Sequence, residues 1–165
     1  MGARRKALGA AVLIAAVVLL TGCTPTTSAF IRNDDEGLLL TAPEECGYSF
    51  AAVEVRYSSD NESDGFEDLP LVWTATAEPG AERKSVRLFD ANGGYETEQL
   101  VTAIDTSREM VVWWTEAWGD GSDVESSLIG ILDEVDGDNV LWSDGIGSHS
   151  RYESQMGLPW GSVRC

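Results

Sequence analysis

Asp60, Glu62 and Asp64 set carboxylates at alternate positions ahead of Gly65, and Asp68 follows at the ninth position of the same run. Oxygen ligands at this spacing open the kind of loop that converges on a hard cation, so the stretch is a candidate calcium site. Three features count against it. Glu62 is longer than the usual third ligand, Leu71 stands where a bidentate Glu would close the shell, and strand-like rather than helical segments flank the loop. The competing reading is a solvated acidic loop. Asp120 with Asp123, and Asp133 with Asp136 and Asp138, read as turn chemistry.

Trp114, Glu116 and Trp118 share one face if Glu109 to Trp118 is a regular strand, with Trp113 on the other. Exposed beside Asp120, Trp114 and Trp118 would form a platform for stacking a sugar, although burial in the core is the commoner fate of Trp. His149 is the single histidine, and the adjacent Ser148 and Ser150 carry no meaning for a triad, whose members meet in space. A zinc centre lacks ligands. With 28 acidic residues, two carboxylates at glycosidase spacing would arise by chance. No catalytic residue is assigned, the chain is expected not to be an enzyme, and no cofactor is expected beyond the calcium alternative.

The elements that must position these residues read as strands. From Phe30 onward no segment sustains a helical repeat, while short alternating or β-branched runs recur between Gly, Asp and Asn clusters. Phe30 to Arg32 and Leu38 to Thr41 flank a turn-forming loop and predict a first hairpin. Ala52 to Ser58 alternates, with Val53, Val55 and Tyr57 on the buried side. Leu71, Trp73, Ala75 and Ala77 repeat the pattern; Ser85 to Phe89, Gln99 to Asp105, Glu109 to Trp118, Val124 to Val135 (bent or bulged at Gly130) and Val140 to Ser143 follow. The last three of these predict a meander, and the tail after Asp144 reads as irregular or as one edge strand. Eight or nine strands at roughly ten-residue spacing predict a single two-sheet antiparallel sandwich, immunoglobulin-like, over residues 30–165, with a closed barrel as the alternative.

The N-terminal run is of another kind. Arg4, Arg5 and Lys6 precede the 14 apolar residues Ala7 to Leu20, and Leu20-Thr21-Gly22-Cys23 forms a small-residue exit. This is the pattern of a secretory signal peptide spanning residues 1–22. It is short for a spanning helix, which needs about 20 apolar residues, and Arg4-Arg5 lacks the neighbours of a twin-arginine signal. Leu20-Thr21-Gly22-Cys23 resembles the lipobox of bacterial lipoproteins. That resemblance implies a diacylglyceryl group on Cys23, often with a further acyl chain such as palmitate on its amine, and a membrane partner reached through the anchor. One acyl chain binds a bilayer only marginally, whereas two or more hold it stably. Residues 23–29 then form a lipidated cysteine and a short polar tether.

Arg32 to Cys46, with Leu38-Leu39-Leu40, followed by Val53-Glu54-Val55 and Leu71-Val72-Trp73, also resembles small actinobacterial lipoproteins of unknown function. No activity comes with that resemblance. With Cys23 assigned to lipid, Cys46 and Cys165 remain, and an exported compartment permits them to form a disulfide. Residues 1–22 carry three of the 11 basic residues and none of the 28 acidic ones, so eight bases face 28 acids in the remainder, a formal charge of −20. Such a chain is a poor partner for nucleic acid or an anionic lipid surface. The expected function is a lipid-anchored binding module on the extracytoplasmic face of the cell membrane, contacting an envelope protein or glycan. A calcium-dependent surface domain and a carbohydrate-active envelope enzyme are the alternatives.

Overall fold

Side chains alternate across a strand, so a run such as Val53-Glu54-Val55-Arg56-Tyr57 needs one packed and one open side. The computed structural model supplies both. It describes residues 28–59, 65–78, 83–90 and 94–156, and these fold as two five-stranded antiparallel sheets packed face to face. The strands are β1 (Phe30–Asp34), β2 (Gly37–Thr41), β3 (Tyr48–Tyr57), β4 (Leu71–Ala77), β5 (Ser85–Arg87), β6 (Tyr95–Gln99), β7 (Glu109–Trp118), β8 (Asp123–Ile131), β9 (Asn139–Trp142) and β10 (Gly145–Ser148). One helix, α1 (His149–Met156), and two 3-10 turns, Phe66–Asp68 and Leu132–Glu134, complete the described elements.

The first sheet runs β10-β9-β1-β2-β5 and the second β6-β4-β3-β7-β8. Within them β1-β2-β5 faces β4-β3-β7-β8, which is the A-B-E over C′-C-F-G order of an immunoglobulin sandwich. β6 adds an outer strand to the second sheet, and β9 and β10 carry the first sheet past β1. Among the described residues no strand pairing joins one sheet to the other, so they do not close into the barrel of the alternative reading. The core lies between the sheets and includes Ile31, Leu40, Phe50, Val53, Val55, Trp73, Val112, Trp114 and Leu141. A smaller cluster of Phe30, Val140, Trp142 and Tyr152 lies apart from it and takes in a side chain of α1.

Several strands depart from the sequence expectation for physical reasons. The expected strand Gln99 to Asp105 is instead β6, ending at Gln99. Residues 100–108 form a loop whose Val101 and Ile104 pack on the core without joining the ladder. The meander is also corrected. β7 and β8 pair, but β9 crosses to the other sheet and pairs with β1 through Ile31 opposite Leu141. β8 is not bulged at Gly130, since its register with β7 is unbroken from Asp123 to Ile131. Glycine is needed there because a Cβ would lie 2.9 Å from Leu141 Cδ1, on the opposing sheet. The first hairpin is tighter than expected: its strands are joined by Asp35-Glu36, with Gly37 at φ 117° closing the turn. Ser28 and Ala29, expected at the end of the tether, are buried.

Candidate functional site

Cys23, Asp60, Glu62, Asp64 and Cys165 lie outside the described residues. Asp68 is exposed at the end of the 3-10 turn Phe66–Asp68, where its backbone N–H donates to the Gly65 carbonyl at 2.9 Å. Among the described residues no group of three or more His, Cys, Asp or Glu side chains could hold a metal ion. Cys46 is buried, with its Sγ 3.3 Å from Ser28 Oγ, which in turn lies 3.4 Å from Tyr48 Oη. α1 returns the chain to this end of the sandwich, where the Tyr152 hydroxyl donates to the Ser28 carbonyl at 2.9 Å. Burial pushes the Tyr48 hydroxyl up to about 12, with the nearby Glu116 carboxylate adding to the shift.

The Trp114 and Trp118 platform is overturned. Register places Trp114 opposite Val53 and Val112 opposite Val55, so the even-numbered face of β7 is the inner one. Trp114 is wholly buried, edge-on to Phe50 at 6.1 Å, and its Nε1 donates to Glu116 Oε1 at 3.2 Å. Trp118 packs against Tyr48 with ring centroids 5.2 Å apart, and its buried Nε1 has no hydrogen-bond partner. With Trp114 buried and Trp118 half-buried, the two rings do not form an exposed pair on which a sugar could stack. His149 sits in an aromatic cluster, stacked on Tyr152 at 5.9 Å and tilted against Phe30 at 5.5 Å.

The open surface is the outer face of the second sheet. Strand register sets two rows across all five strands, Glu98-Thr74-Glu54-Trp113-Ser127 and Glu96-Thr76-Ala52-Thr115-Glu125. A third row, Leu71-Arg56-Val111-Ile129, runs from β4 to the β8 edge. Trp113 is the aromatic residue of this face, and Phe66 lies over it at 5.4 Å. Arg56 caps Phe66, its Cζ 4.9 Å from the ring centroid, while bonding Glu54 Oε2 at 2.8 Å and the Leu69 carbonyl at 2.8 Å. This stack pins the 3-10 turn Phe66–Asp68 to the sheet. Trp113 was legible only as the residue opposite Trp114; the alternation of β3, which pairs with β7, is the signal that separates them.

Arg56 pairs with Glu54 on this face, while Arg87, Lys84 and Arg108 are engaged elsewhere. Arg87 forms a two-pronged pair with Asp34 at 2.7 and 3.1 Å and bonds Glu36 at 2.9 Å. That pairing holds the Asp34 carboxyl down at about 2 and pushes Arg87 up. Lys84 donates to the carbonyls of Cys46 and Tyr48, and Arg108 lies 3.9 Å over the Tyr57 ring. Glu96, Glu98 and Glu125 remain exposed on the sheet face. The arrangement can attract cationic groups and offer backbone and hydroxyl hydrogen bonds along its edge. No helix among the described residues is long and apolar enough to cross a membrane. Comparison of the chain with protein-family models, curated proteins and solved structures finds no match.

Proposed function

We propose that this chain is a lipid-anchored, non-catalytic binding module, held through Cys23 on the extracytoplasmic face of the cell membrane, that contacts another envelope component through the second sheet. The observation that carries this reading is the export segment ending in Leu20-Thr21-Gly22-Cys23, placed only five residues before Ser28, which is buried in the domain. Five extended residues reach at most about 18 Å. The Ser28 end of the sandwich, with Cys46 and Trp118, therefore stays close to the bilayer. β8 and the outer face of its sheet remain open to a partner alongside.

Function in this reading depends on placement. Cys23→Ser is expected to abolish lipidation, release or mislocalise the protein and reproduce the phenotype of a deletion, while the domain remains folded. Metabolic labelling with palmitate, membrane fractionation and complementation read the three effects. Full complementation by the unanchored form would overturn the proposal. So would turnover of an envelope substrate that is lost on substitution of one or two carboxylates, which would put an enzyme in its place.

A further inference from the structure

β8 is the outermost strand of the second sheet, nine residues long, and it pairs with β7 along its whole length. Among the described residues no backbone hydrogen bond joins its other side to any strand or loop. A strand edge of this kind is a template for another strand, and proteins ordinarily blunt it with charge, proline or brevity. The other three edges are blunted. β5 has three residues, β10 has four with two glycines, and β6 has five with Glu96 and Glu98 outward. β8 confines its charges to Asp123 and Glu125 at one end and then runs Ser126-Ser127-Leu128-Ile129-Gly130-Ile131 without a charge or a proline. It also bears two of the three exposed large apolar side chains among the described residues, Val124 and the 55% exposed Ile129.

We propose that β8 receives an extended segment of a partner polypeptide as a sixth strand of its sheet, and that this segment is basic at one end and aliphatic at the other on the same face. The inference rests on the binding-module reading and names the chemistry of its partner. Asp123, Glu125, Ser127 and Ile129 share the outer face, because successive residues alternate sides. An added strand therefore meets two carboxylates at one end, which suit Lys or Arg, and four residues beyond Glu125 it meets Ile129 beside the buried Val111. Main-chain bonds supply affinity and these side-chain positions supply selection. Charge selects against a second copy as the occupant. Two chains of this acidity repel, and two-fold pairing centred on Ser127 would set Glu125 opposite Ile129 instead of opposite a base.

The test uses the isotopically labelled full chain in detergent and a capped peptide, Val-Thr-Val-Thr-Thr-Thr-Lys-Thr-Lys, which in antiparallel register with the nine residues of β8 sets its two Lys opposite Glu125 and Asp123 and a Val opposite Ile129. Amide resonances of β8 are expected to shift and saturate with peptide at concentrations up to about 1 mM. Replacing both Lys by Glu in the peptide should weaken binding by about tenfold or more, since two favourable cross-strand charge pairs become repulsive. Glu125→Lys should narrow or reverse that preference while leaving the melting temperature within a few degrees of the parent, which separates lost recognition from lost folding. Three results would each overturn the proposal: no β8 response in a folded protein, binding indifferent to the Lys-to-Glu exchange, or a free protein that sediments as a dimer and is made monomeric by Ile129→Lys. The localisation and complementation of Cys23→Ser do not involve the peptide, so loss of the β8 proposal and loss of the anchored-module reading are told apart.

Discussion

Trp114 and Glu116, two residues apart on the inner face of β7, are joined by a hydrogen bond of 3.2 Å from the indole Nε1 to the carboxylate, and both are buried. A carboxylate in the core is costly unless its acceptors are used, and an indole N–H in the core is costly unless it has an acceptor. Each therefore satisfies the other. Glu116→Ala strands the indole donor and is expected to cost about 1–3 kcal/mol in urea unfolding. Glu116→Gln keeps an acceptor and removes a buried charge, so it should cost less. Trp118, whose Nε1 has no partner, provides the contrast: Trp118→Phe should be milder than Trp114→Phe. A double-mutant cycle on Trp114 and Glu116 should show coupling that Trp118 and Glu116 lack.

Asp34 gives the domain an acid-side pH dependence. Its carboxyl is held at about 2 by the Arg87 guanidinium and by the Glu36 N–H at 3.0 Å, against an ordinary value of 3.8. A folded value below the unfolded one means that the unfolded chain binds the proton more readily. The stabilisation is then fully present above about pH 4 and is lost as pH falls through about 2. Arg87→Ala should return Asp34 towards 3.8, and Asp34→Asn should flatten the melting temperature between pH 4 and 2. Carboxyl chemical shifts followed through a pH titration read the first directly. On the alkaline side the sign reverses, because Tyr48 and Tyr95 are pushed up to about 12 by burial. Their contribution is intact below pH 10 and falls away as pH rises through 12.

Gly130 predicts the effect of one added methyl group. A Cβ there would stand 2.9 Å from Leu141 Cδ1 and 3.1 Å from its Cδ2, and Leu141 is wholly buried, so the leucine has little room to retreat. Gly130→Ala is expected to cost about 1–3 kcal/mol through overpacking. The double variant Gly130→Ala with Leu141→Val should recover part of that loss relative to the sum of the two single changes. Additive losses in thermal unfolding would show that the two sheets separate here instead of pressing together.

Two-residue alternation made the strands legible, and register between strands was what the sequence withheld. The inward set Val53, Val55 and Tyr57 follows from alternation, and the bounds of β7 follow from an apolar run between turn-forming residues. β7 is apolar on both faces at Val111, Val112, Trp113 and Trp114, so only pairing with β3 settles which Trp is inside. Val140-Leu141-Trp142 is buried at every position, and a run without alternation does not say which sheet it joins. The loop after β6 misled because Val101 and Ile104 are apolar at near-strand spacing, yet they pack from an irregular backbone. α1 was missed because Tyr152 is its one buried residue among those described, too few to write a helical stripe.

Cys46 and Cys165 are expected to be joined by a disulfide. Cys46 is buried at the Ser28 end of the sandwich, and Tyr152 of α1 is fixed to the Ser28 carbonyl, so the chain returns to that end and Cys165 follows nine positions after Met156, the last residue of α1. Nine residues can span about 30 Å when extended, ample for the crossing. Closing a loop of more than a hundred residues restrains the unfolded chain and contributes about 4–5 kcal/mol in the chain-entropy account. The mature protein, with Cys23 acylated, should show no thiol reactive to Ellman's reagent even in denaturant without reductant. Reduction should release two thiols, and Cys165→Ser should lower the urea midpoint while exposing one Cys46 thiol only on unfolding. Two thiols titrated in the unreduced, denatured protein would remove the bridge. The β8 proposal would be untouched, since that strand lies in the sheet that does not contain Ser28 or α1's neighbour β10.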